Sequence, residues 1–220
     1  GLGDVYKRQQ KMIGKAMNEF NFSVPQNIIV EKGGLAKLPE VAKELGGTKA
    51  FIISGPHLNK MGIVGKCIEA LEAKGIKATA YTDTEGNPSV ETVEKATESF
   101  KESDSDFIIA LGGGSPMDVA KAVGVVAKYG GSITDYEGGG KVPGDIIPLI
   151  AVPTTAGTGS EVTAFSVITD HSRNYKLTVF SYKLIPAYAI LDANLLTTAP
   201  PSVAAACGID AMVHALEAYI

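Results

Sequence analysis

The alternation of two sequence patterns constrains the fold of this chain more than any other feature. Short apolar runs rich in β-branched residues are typical of buried strands, and the stretches between them separate apolar from charged residues at the helical period. Such repetition with short connections produces parallel strands joined by right-handed crossovers, so we predict an α/β fold with a parallel sheet. The predicted strands are 27–30, 50–54, 78–81, 106–111, 148–152 and 187–191, and the predicted helices are 35–45, 60–74, 89–102 and 116–128.

Composition limits the classes of function. The net charge is −4 and no basic cluster is present, which argues against a nucleic-acid partner. No apolar run reaches the roughly 18 residues that a membrane-spanning helix requires, so no membrane partner is expected. Cys67 and Cys207 are far apart and form no CxxC pair, which is typical of a reduced compartment. The first ten residues lack the apolar segment of a secretory signal peptide, and we therefore expect a cytoplasmic protein.

The two ends of the chain differ from the rest of the sequence. Residues 1–11 share no pattern with the residues after them, and we interpret them as a non-native leader, with Met12 or Met17 as a natural start. Residues 202–220 predict a helix that stops without a C-cap glycine or a charged last turn, which indicates truncation. We predict an α/β domain over 12–195 and the first part of a truncated helical domain over 196–220. An incomplete domain of this kind is expected to leave apolar surface exposed.

A glycine triplet, Gly112–Gly114, follows the fourth predicted strand and opens a helix. Glycines allow backbone amides to approach a ligand without interference from Cβ atoms. Ser115 suits the N-cap of the helix, Pro116 suits N1, and Asp118 suits the N3 position of a capping box. Free amides and the helix dipole then favour an anion such as a pyrophosphate. The alternative is a tight strand-to-helix turn that binds no ligand.

A second loop, 153–161, follows the fifth predicted strand and is rich in small hydroxyl residues. Side chains that both donate and accept hydrogen bonds suit the ribose and phosphate groups of a nucleotide. The alternative is a polar loop that only faces solvent. Two such loops at neighbouring strand ends favour the nucleotide site, because ligands of parallel sheets bind at the carboxyl ends of the strands. The hydroxyl residues are Thr154, Thr155, Thr158 and Ser160.

The helix predicted near the end of the chain carries Asp210 and His214 at positions i and i+4. Side chains at this spacing share one helix face, and a carboxylate with an imidazole suits a first-row divalent ion. Apolar neighbours such as Ile209 and Val213 favour a buried helix, where an unpaired carboxylate is costly. The alternative is an ordinary surface pair. Two protein ligands do not complete a metal site, so further ligands would come from elsewhere; His57 and His171 occupy ordinary loop positions and are poor candidates.

Taken in order, these motifs resemble the iron-containing (group III) alcohol dehydrogenases. The resemblance extends from about Phe20 to Ile220. It is carried by the segments 112–121, 153–163 and 208–217, together with the shorter matches 87–88, 168–170 and 189–192.

The resemblance implies a Rossmann-like dinucleotide-binding domain followed by an all-helical metal-binding domain, with the active site between them. It implies NAD or NADP as cofactor and Fe²⁺ as the metal, with Zn²⁺ as the alternative ion. Asp210 and His214 would be two of four metal ligands, and the other two would be histidines beyond this chain. Asn87 and Lys176 would lie near the ribose or adenine. The full set of implied cofactor residues is Gly55, Asn87, Gly112, Gly113, Gly114, Ser115, Asp118, Thr154, Thr155, Thr158 and Lys176.

Gly55 departs from the pattern of the family. It follows the second predicted strand, where many relatives carry an aspartate. An acid at this place bonds the ribose 2′-hydroxyl and repels a 2′-phosphate, whereas glycine removes the repulsion. We therefore predict that the complete enzyme uses NADP(H) at least as well as NAD(H).

The activity implied by the resemblance is the interconversion of a primary alcohol and an aldehyde, with a small molecule as the partner and a homo-oligomer as a candidate assembly. One alternative is a polyol dehydrogenase similar to the glycerol dehydrogenases, against which Ser115-Pro116 argues. A second is a non-catalytic nucleotide-binding fragment, and a third is a piece of a fused aldehyde–alcohol dehydrogenase. Because the helical domain is incomplete, we expect the chain on its own to be inactive.

Overall fold

Residues 26–219 are the part of the chain described by the structure, which is a computed structural model. The predicted leader, 1–11, lies outside them. The strands are β1 (Asn27–Val30), β2 (Lys49–Ile53), β3 (Lys77–Tyr81), β4 (Phe107–Gly112), β5 (Gly138–Gly139), β6 (Leu149–Pro153), β7 (Phe165–Asp170), β8 (Tyr175–Phe180) and β9 (Tyr188–Leu191). The helices are α1 (Leu38–Glu44), α2 (Pro56–Lys60), α3 (Ile63–Glu72), α4 (Val90–Glu102), α5 (Gly114–Tyr129), α6 (Ala193–Leu196) and α7 (Pro201–Tyr219).

The main sheet has the order β1-β9-β6-β4-β2-β3, and all of its pairings are parallel. This confirms the predicted α/β class and the six predicted strands. After β3 the chain returns to the other side of β2 to form β4, so the direction of strand addition reverses there. A ligand crevice is expected at the carboxyl ends of the strands where such a reversal occurs. In this chain the strands are β2 and β4: Gly55 lies just after β2, and the glycine triplet lies at the end of β4.

Two hydrophobic layers cover the two faces of the sheet. In β4, Ile108 and Ala110 contribute to the layer that packs with α4 and α5. Their neighbours Ile109 and Leu111 contribute to the layer that packs with α1 and α3. All four are fully buried, and burying an isoleucine or leucine side chain contributes roughly 1.5–3 kcal/mol to folding. Because both faces are covered, β4 is apolar throughout and not alternating.

A second sheet, of order β5-β8-β7 within the described residues, is absent from our prediction. The strands β7 and β8 form an antiparallel hairpin, and its turn ends at Asn174, which has a φ of 49°. The sequence of β8 does contain the alternation that is typical of a strand: Leu177 and Val179 are buried, and the residues beside them are more exposed. The hairpin lies beside α5, and it brings Lys176 opposite Thr169.

The helix predicted over 60–74 is α3, which is shorter, and it is preceded by a short helix, α2, that the sequence did not predict. They are separated at Met61 and Gly62, and Gly62 has a φ of 74°, a left-handed conformation that favours glycine. The predicted loop 195–201 is shorter than expected, because α6 extends to Leu196 and α7 begins at Pro201.

The helix α7 begins one residue before its predicted start and is exposed along its length. Among its apolar residues, Ile209 is 60% exposed and Met212 57%, so apolar surface is exposed as expected, whereas the buried position expected from these apolar neighbours is not found among the described residues. Of the helices between residues 26 and 219, none combines the length and the apolar character needed to cross a bilayer.

Candidate functional site

The helix α5 begins directly at the glycine triplet. Gly114 is its first residue and Gly113 its N-cap, two residues earlier than the sequence predicts. The predicted capping box is therefore wrong: Ser115 lies inside the first turn, and no described side chain caps the helix. Proline is tolerated here because first-turn N–H groups have no partner within the helix. The N-terminus of α5 therefore keeps its backbone donors for a ligand.

The backbone of the triplet borders a narrow space that a side chain at any of its three positions would fill. A Cβ atom at Gly112 would lie 2.8 Å from Cγ of Pro116. A Cβ at Gly113 would lie 3.2 Å from Oγ1 of Thr155, and one at Gly114 would lie 3.3 Å from Cγ2 of Thr158. The space between the two loops consequently depends on the absence of side chains at the triplet.

The hydroxyl-rich loop lies against the triplet as predicted. The N–H of Thr154 donates to the carbonyl of Gly112 at 2.9 Å, which continues the pairing of β4 with β6. Among the described residues, the buried hydroxyl oxygens of Thr155 and Thr84 have no hydrogen-bond partner. Unpartnered buried hydroxyls are costly, so their position on a cavity fits a polar ligand that supplies the missing bonds.

A cavity of about 570 Å³ joins these features at the carboxyl edge of the sheet. It brings together eight of the eleven predicted cofactor residues. Gly55 lies on one wall, the first turn of α5 forms the floor, and α7 contributes Val203 and Cys207 from another side. The eight are Gly55, Gly112, Gly113, Gly114, Ser115, Thr154, Thr155 and Thr158.

The other three predicted cofactor residues line a second cavity of about 600 Å³. They are Asn87, Asp118 and Lys176, and none of them lines the cavity that contains Gly55. The ammonium of Lys176 donates to Oδ1 of Asn87 at 2.8 Å. The second cavity adjoins the first, because Gly114, Ser115 and Thr158 line both.

Asp210 and His214 face this second cavity from α7. Nε2 of His214 lies 3.8 Å from Oδ1 of Asp210, and both side chains are about half exposed. Two ligands of one tetrahedral ion would be about 3.3 Å apart at metal–ligand bonds of about 2.0–2.1 Å. A small rotation of either side chain would bring the pair to that separation. Within residues 26–219, no group of three or more His, Cys, Asp and Glu residues could hold a metal, so the pair offers part of a site.

Asp118 does not complete a helix cap. Its carboxylate accepts a hydrogen bond from Oγ of Ser160 at 2.9 Å. Burial raises the pKa of Asp118 to about 6, although the Lys121 ammonium and the Ser160 hydroxyl oppose that rise. The bond joins the helix of the glycine triplet to the end of the hydroxyl-rich loop.

Sequence reasoning missed three residues near the site. Lys121 is fully buried beneath the second loop, and a lysine in an amphipathic helix gives no local sign of that position. His57 lies in α2 and lines the first cavity, with its Nε2 3.2 Å from the carbonyl of Thr198; it does not occupy a loop. Gly157 allows the backbone of α7 to approach the second loop, since a Cβ there would lie 2.9 Å from Cα of Cys207.

Comparison with known proteins gives a consistent result. The family described as "Iron-containing alcohol dehydrogenase" matches residues 25–193. The NAD-dependent methanol dehydrogenase of Bacillus methanolicus is 34% identical over 91% of this chain and 52% of its own length. The NADPH-dependent butanol dehydrogenase of Clostridium saccharobutylicum is 37% identical over 90% of this chain and 51% of its own length.

A solved structure of a 1,3-propanediol oxidoreductase superposes on this chain with a TM-score of 0.87 at 33% identity. The matched region covers 92% of this chain and 53% of that one. This chain therefore spans about half the length of the relatives that it matches.

Proposed function

Because this chain belongs to the iron-containing alcohol dehydrogenase family, we propose that the whole protein interconverts a primary alcohol and an aldehyde with NAD(P) as cofactor. The observation that carries the proposal is the meeting of two cavities at one edge of the sheet. One contains the glycine triplet and the hydroxyl-rich loop, and the other contains Asp210 and His214. Gly114, Ser115 and Thr158 belong to both, so a ligand that crosses them reaches from one cavity into the other.

The first cavity would hold the dinucleotide. The free backbone donors at Gly113–Ser115 suit its pyrophosphate. The hydroxyls of Thr155 and Thr84 would gain the partners they lack. Gly55, at the far wall, would adjoin the adenine ribose. Asn87 and Lys176 line the second cavity and not the one that contains Gly55, so we propose that they adjoin the part of the cofactor nearest the metal instead of the adenine end that the resemblance implies.

The second cavity would hold the metal and the substrate. Asp210 and His214 would supply two ligands to Fe²⁺, or to Zn²⁺, which competes at many such sites by affinity. We propose that two histidines from the part of the whole protein that this chain does not span complete the site. When bound, the cofactor carries the hydride and the divalent ion polarises the substrate oxygen.

Because no acid stands at Gly55, we expect the whole protein to use NADPH at least as well as NADH. A carboxylate at the end of β2 would repel a 2′-phosphate, and no side chain stands there. Of the two relatives above, one is named for NAD and the other for NADPH, so the family accommodates either cofactor.

A second proposal concerns the 220-residue chain alone: it binds the cofactor without turnover. The supporting observation is that the described residues offer two metal ligands on α7 and no group of three. A site with two protein ligands holds a metal weakly, and polarisation of the substrate oxygen would be lost.

Titration of the chain with NADH, followed by the fluorescence of the nicotinamide, tests the cofactor site. We expect saturable binding that Gly114→Ala weakens by about ten-fold, because the added methyl narrows the space beside Thr158. Gly65→Ala is the matched control, since a Cβ at Gly65 meets nothing within 4 Å. Equal affinity in the wild type and in Gly114→Ala, or no binding by a folded wild type, would contradict the proposal.

A further inference from the structure

The ammonium of Lys121 is enclosed by oxygen atoms from a single segment of the chain. Nζ donates to the carbonyls of Ser160 at 2.7 Å, Phe165 at 2.8 Å and Thr163 at 3.0 Å. The hydroxyls of Ser160 and Thr163 lie at 3.1 and 3.2 Å. The side chain is fully buried, and its three N–H groups are shared among these five acceptors.

This segment continues directly from the loop that lines the first cavity. Thr154, Thr155 and Thr158 precede Ser160, and β7 begins at Phe165. Lys121 lies on α5, two turns after the glycine triplet. Its ammonium therefore joins the helix that carries one half of the cofactor cavity to the loop that carries the other half.

Two hydrogen bonds that the same helix accepts support this connection. The Ser160 hydroxyl, which accepts from Lys121, donates to the carboxylate of Asp118 at 2.9 Å. The hydroxyl of Ser166 donates to the carbonyl of Asp118 at 2.8 Å. Lysine is rarely fully buried, and an unneeded buried charge would be costly. The five oxygens supply the hydrogen bonds that a buried ammonium requires, and all of them belong to this loop and the start of β7.

We propose that Lys121 is a positioning residue that fixes the hydroxyl-rich loop against α5 and thereby sets the width of the cofactor cavity. The inference rests on the proposed cofactor site and assigns no contact between Lys121 and the cofactor. A neutral side chain of similar length would leave the five oxygens without their donor, and the loop would move to find other partners.

The test compares Lys121→Met with Lys128→Met, a more exposed lysine on the same helix. Amide hydrogen exchange of residues 153–165 is measured without ligand, and the Kd for NADH is measured at a temperature where each variant is folded. We expect Lys121→Met alone to speed exchange and raise the Kd, each by about ten-fold. If Lys121→Met does not fold, Thr163→Val removes one acceptor, and a smaller change in the same direction is expected.

A pH series separates positioning from a general contribution to stability. The charged groups that face Lys121 are Asp118 on its own helix and Glu161 on the loop, and burial lowers the pKa of Lys121 to about 8 against their opposing influence. A neutral amine has two N–H donors where the ammonium has three. Wild-type affinity for NADH should therefore fall above pH 8, and this dependence should be absent in Lys121→Met.

The outcomes distinguish the two proposals. If the wild type does not bind NADH but Lys121→Met still loosens residues 153–165, the cofactor site fails and the attachment of the loop stands. If Lys121→Met exchanges and binds NADH as Lys128→Met does, Lys121 does not position the loop. A lower melting temperature with unchanged exchange in the loop and unchanged Kd would also overturn the inference.

Discussion

Gly55 lies at one end of the proposed cofactor cavity. It follows β2 and forms the N-cap of α2, and it lines the cavity that also contains the glycine triplet. A Cβ at this position would lie 3.3 Å from the carbonyl of Thr84, so a larger residue is accommodated only after a shift of a few tenths of an ångström. Glu85 also lines this cavity, so what Gly55 removes is the one carboxylate that would stand at the end of β2, where an acid repels a 2′-phosphate.

We expect Gly55→Asp to shift the preference of the chain from NADPH toward NADH. The new carboxylate would repel a 2′-phosphate and accept a hydrogen bond from a 2′-hydroxyl. The ratio of the two Kd values, measured by cofactor fluorescence, should change by about ten-fold or more. Gly65→Asp adds the same charge away from the cavity and should leave the ratio unchanged. A wild type that strongly prefers NADH, or a ratio that Gly55→Asp does not alter, would refute this interpretation of Gly55.

Individual residues were predictable where their role depends on local sequence. The composition of the glycine triplet and of the three threonines marked both loops as ligand-binding candidates, and they lie together because the strands that they follow are paired in the sheet. The roles of Ser115 and Asp118 as caps were wrong, because the helix begins at Gly114 and Asp118 bonds Ser160 instead. That partner is distant in sequence, as are the partners of Lys121, so the local pattern contains no sign of either.

At the scale of elements, the contact between α7 and the second loop places the two metal-ligand candidates. The helix is exposed along its length, yet its backbone approaches Gly157 closely at Cys207. This approach orients Asp210 and His214, which follow on the same helix, toward the second cavity. The absence of a side chain at Gly157 is what allows it.

Gly157→Ala should displace α7 from the loop. Its Cβ would lie 2.6 Å from the carbonyl carbon of Cys207, and such overpacking costs about 1–3 kcal/mol. We expect a thiol reagent to modify Cys207 about ten-fold faster in the variant, since about 1.4 kcal/mol corresponds to a factor of ten. Cys67 serves as an internal reference, because burial raises its pKa to about 12 and keeps the thiol neutral. Gly65→Ala is the control, and an unchanged rate in Gly157→Ala would show that α7 does not depend on this contact.

Elements were predictable when a single period dominated their sequence. The six strands of the main sheet are apolar runs between clear helices, and each prediction agrees with the structure to within about two residues. The hairpin β7–β8 was missed because it packs beside α5 and is not part of the alternating strand–helix series. The helix α2 was missed because its five residues are too few to show a helical period.

For the whole molecule, the reversal of strand order after β3 explains why the candidate site lies where it does. The sequence indicated a parallel sheet, but the order of its strands depends on contacts between distant segments. That order puts the ends of β2 and β4 side by side, with Gly55 and the glycine triplet on one cavity. The helix α7 then closes one side of that cavity with Val203 and Cys207.

In the proposed function, a dinucleotide extends from Gly55, across the glycine triplet, toward Asp210 and His214. A crystal structure of the chain grown with NADH measures this directly. We predict the adenine end beside Gly55, the pyrophosphate on the amides of Gly113–Ser115, and the nicotinamide in the cavity shared with Asp210 and His214. A dinucleotide bound at another surface, or one whose nicotinamide points away from that pair, would contradict the account.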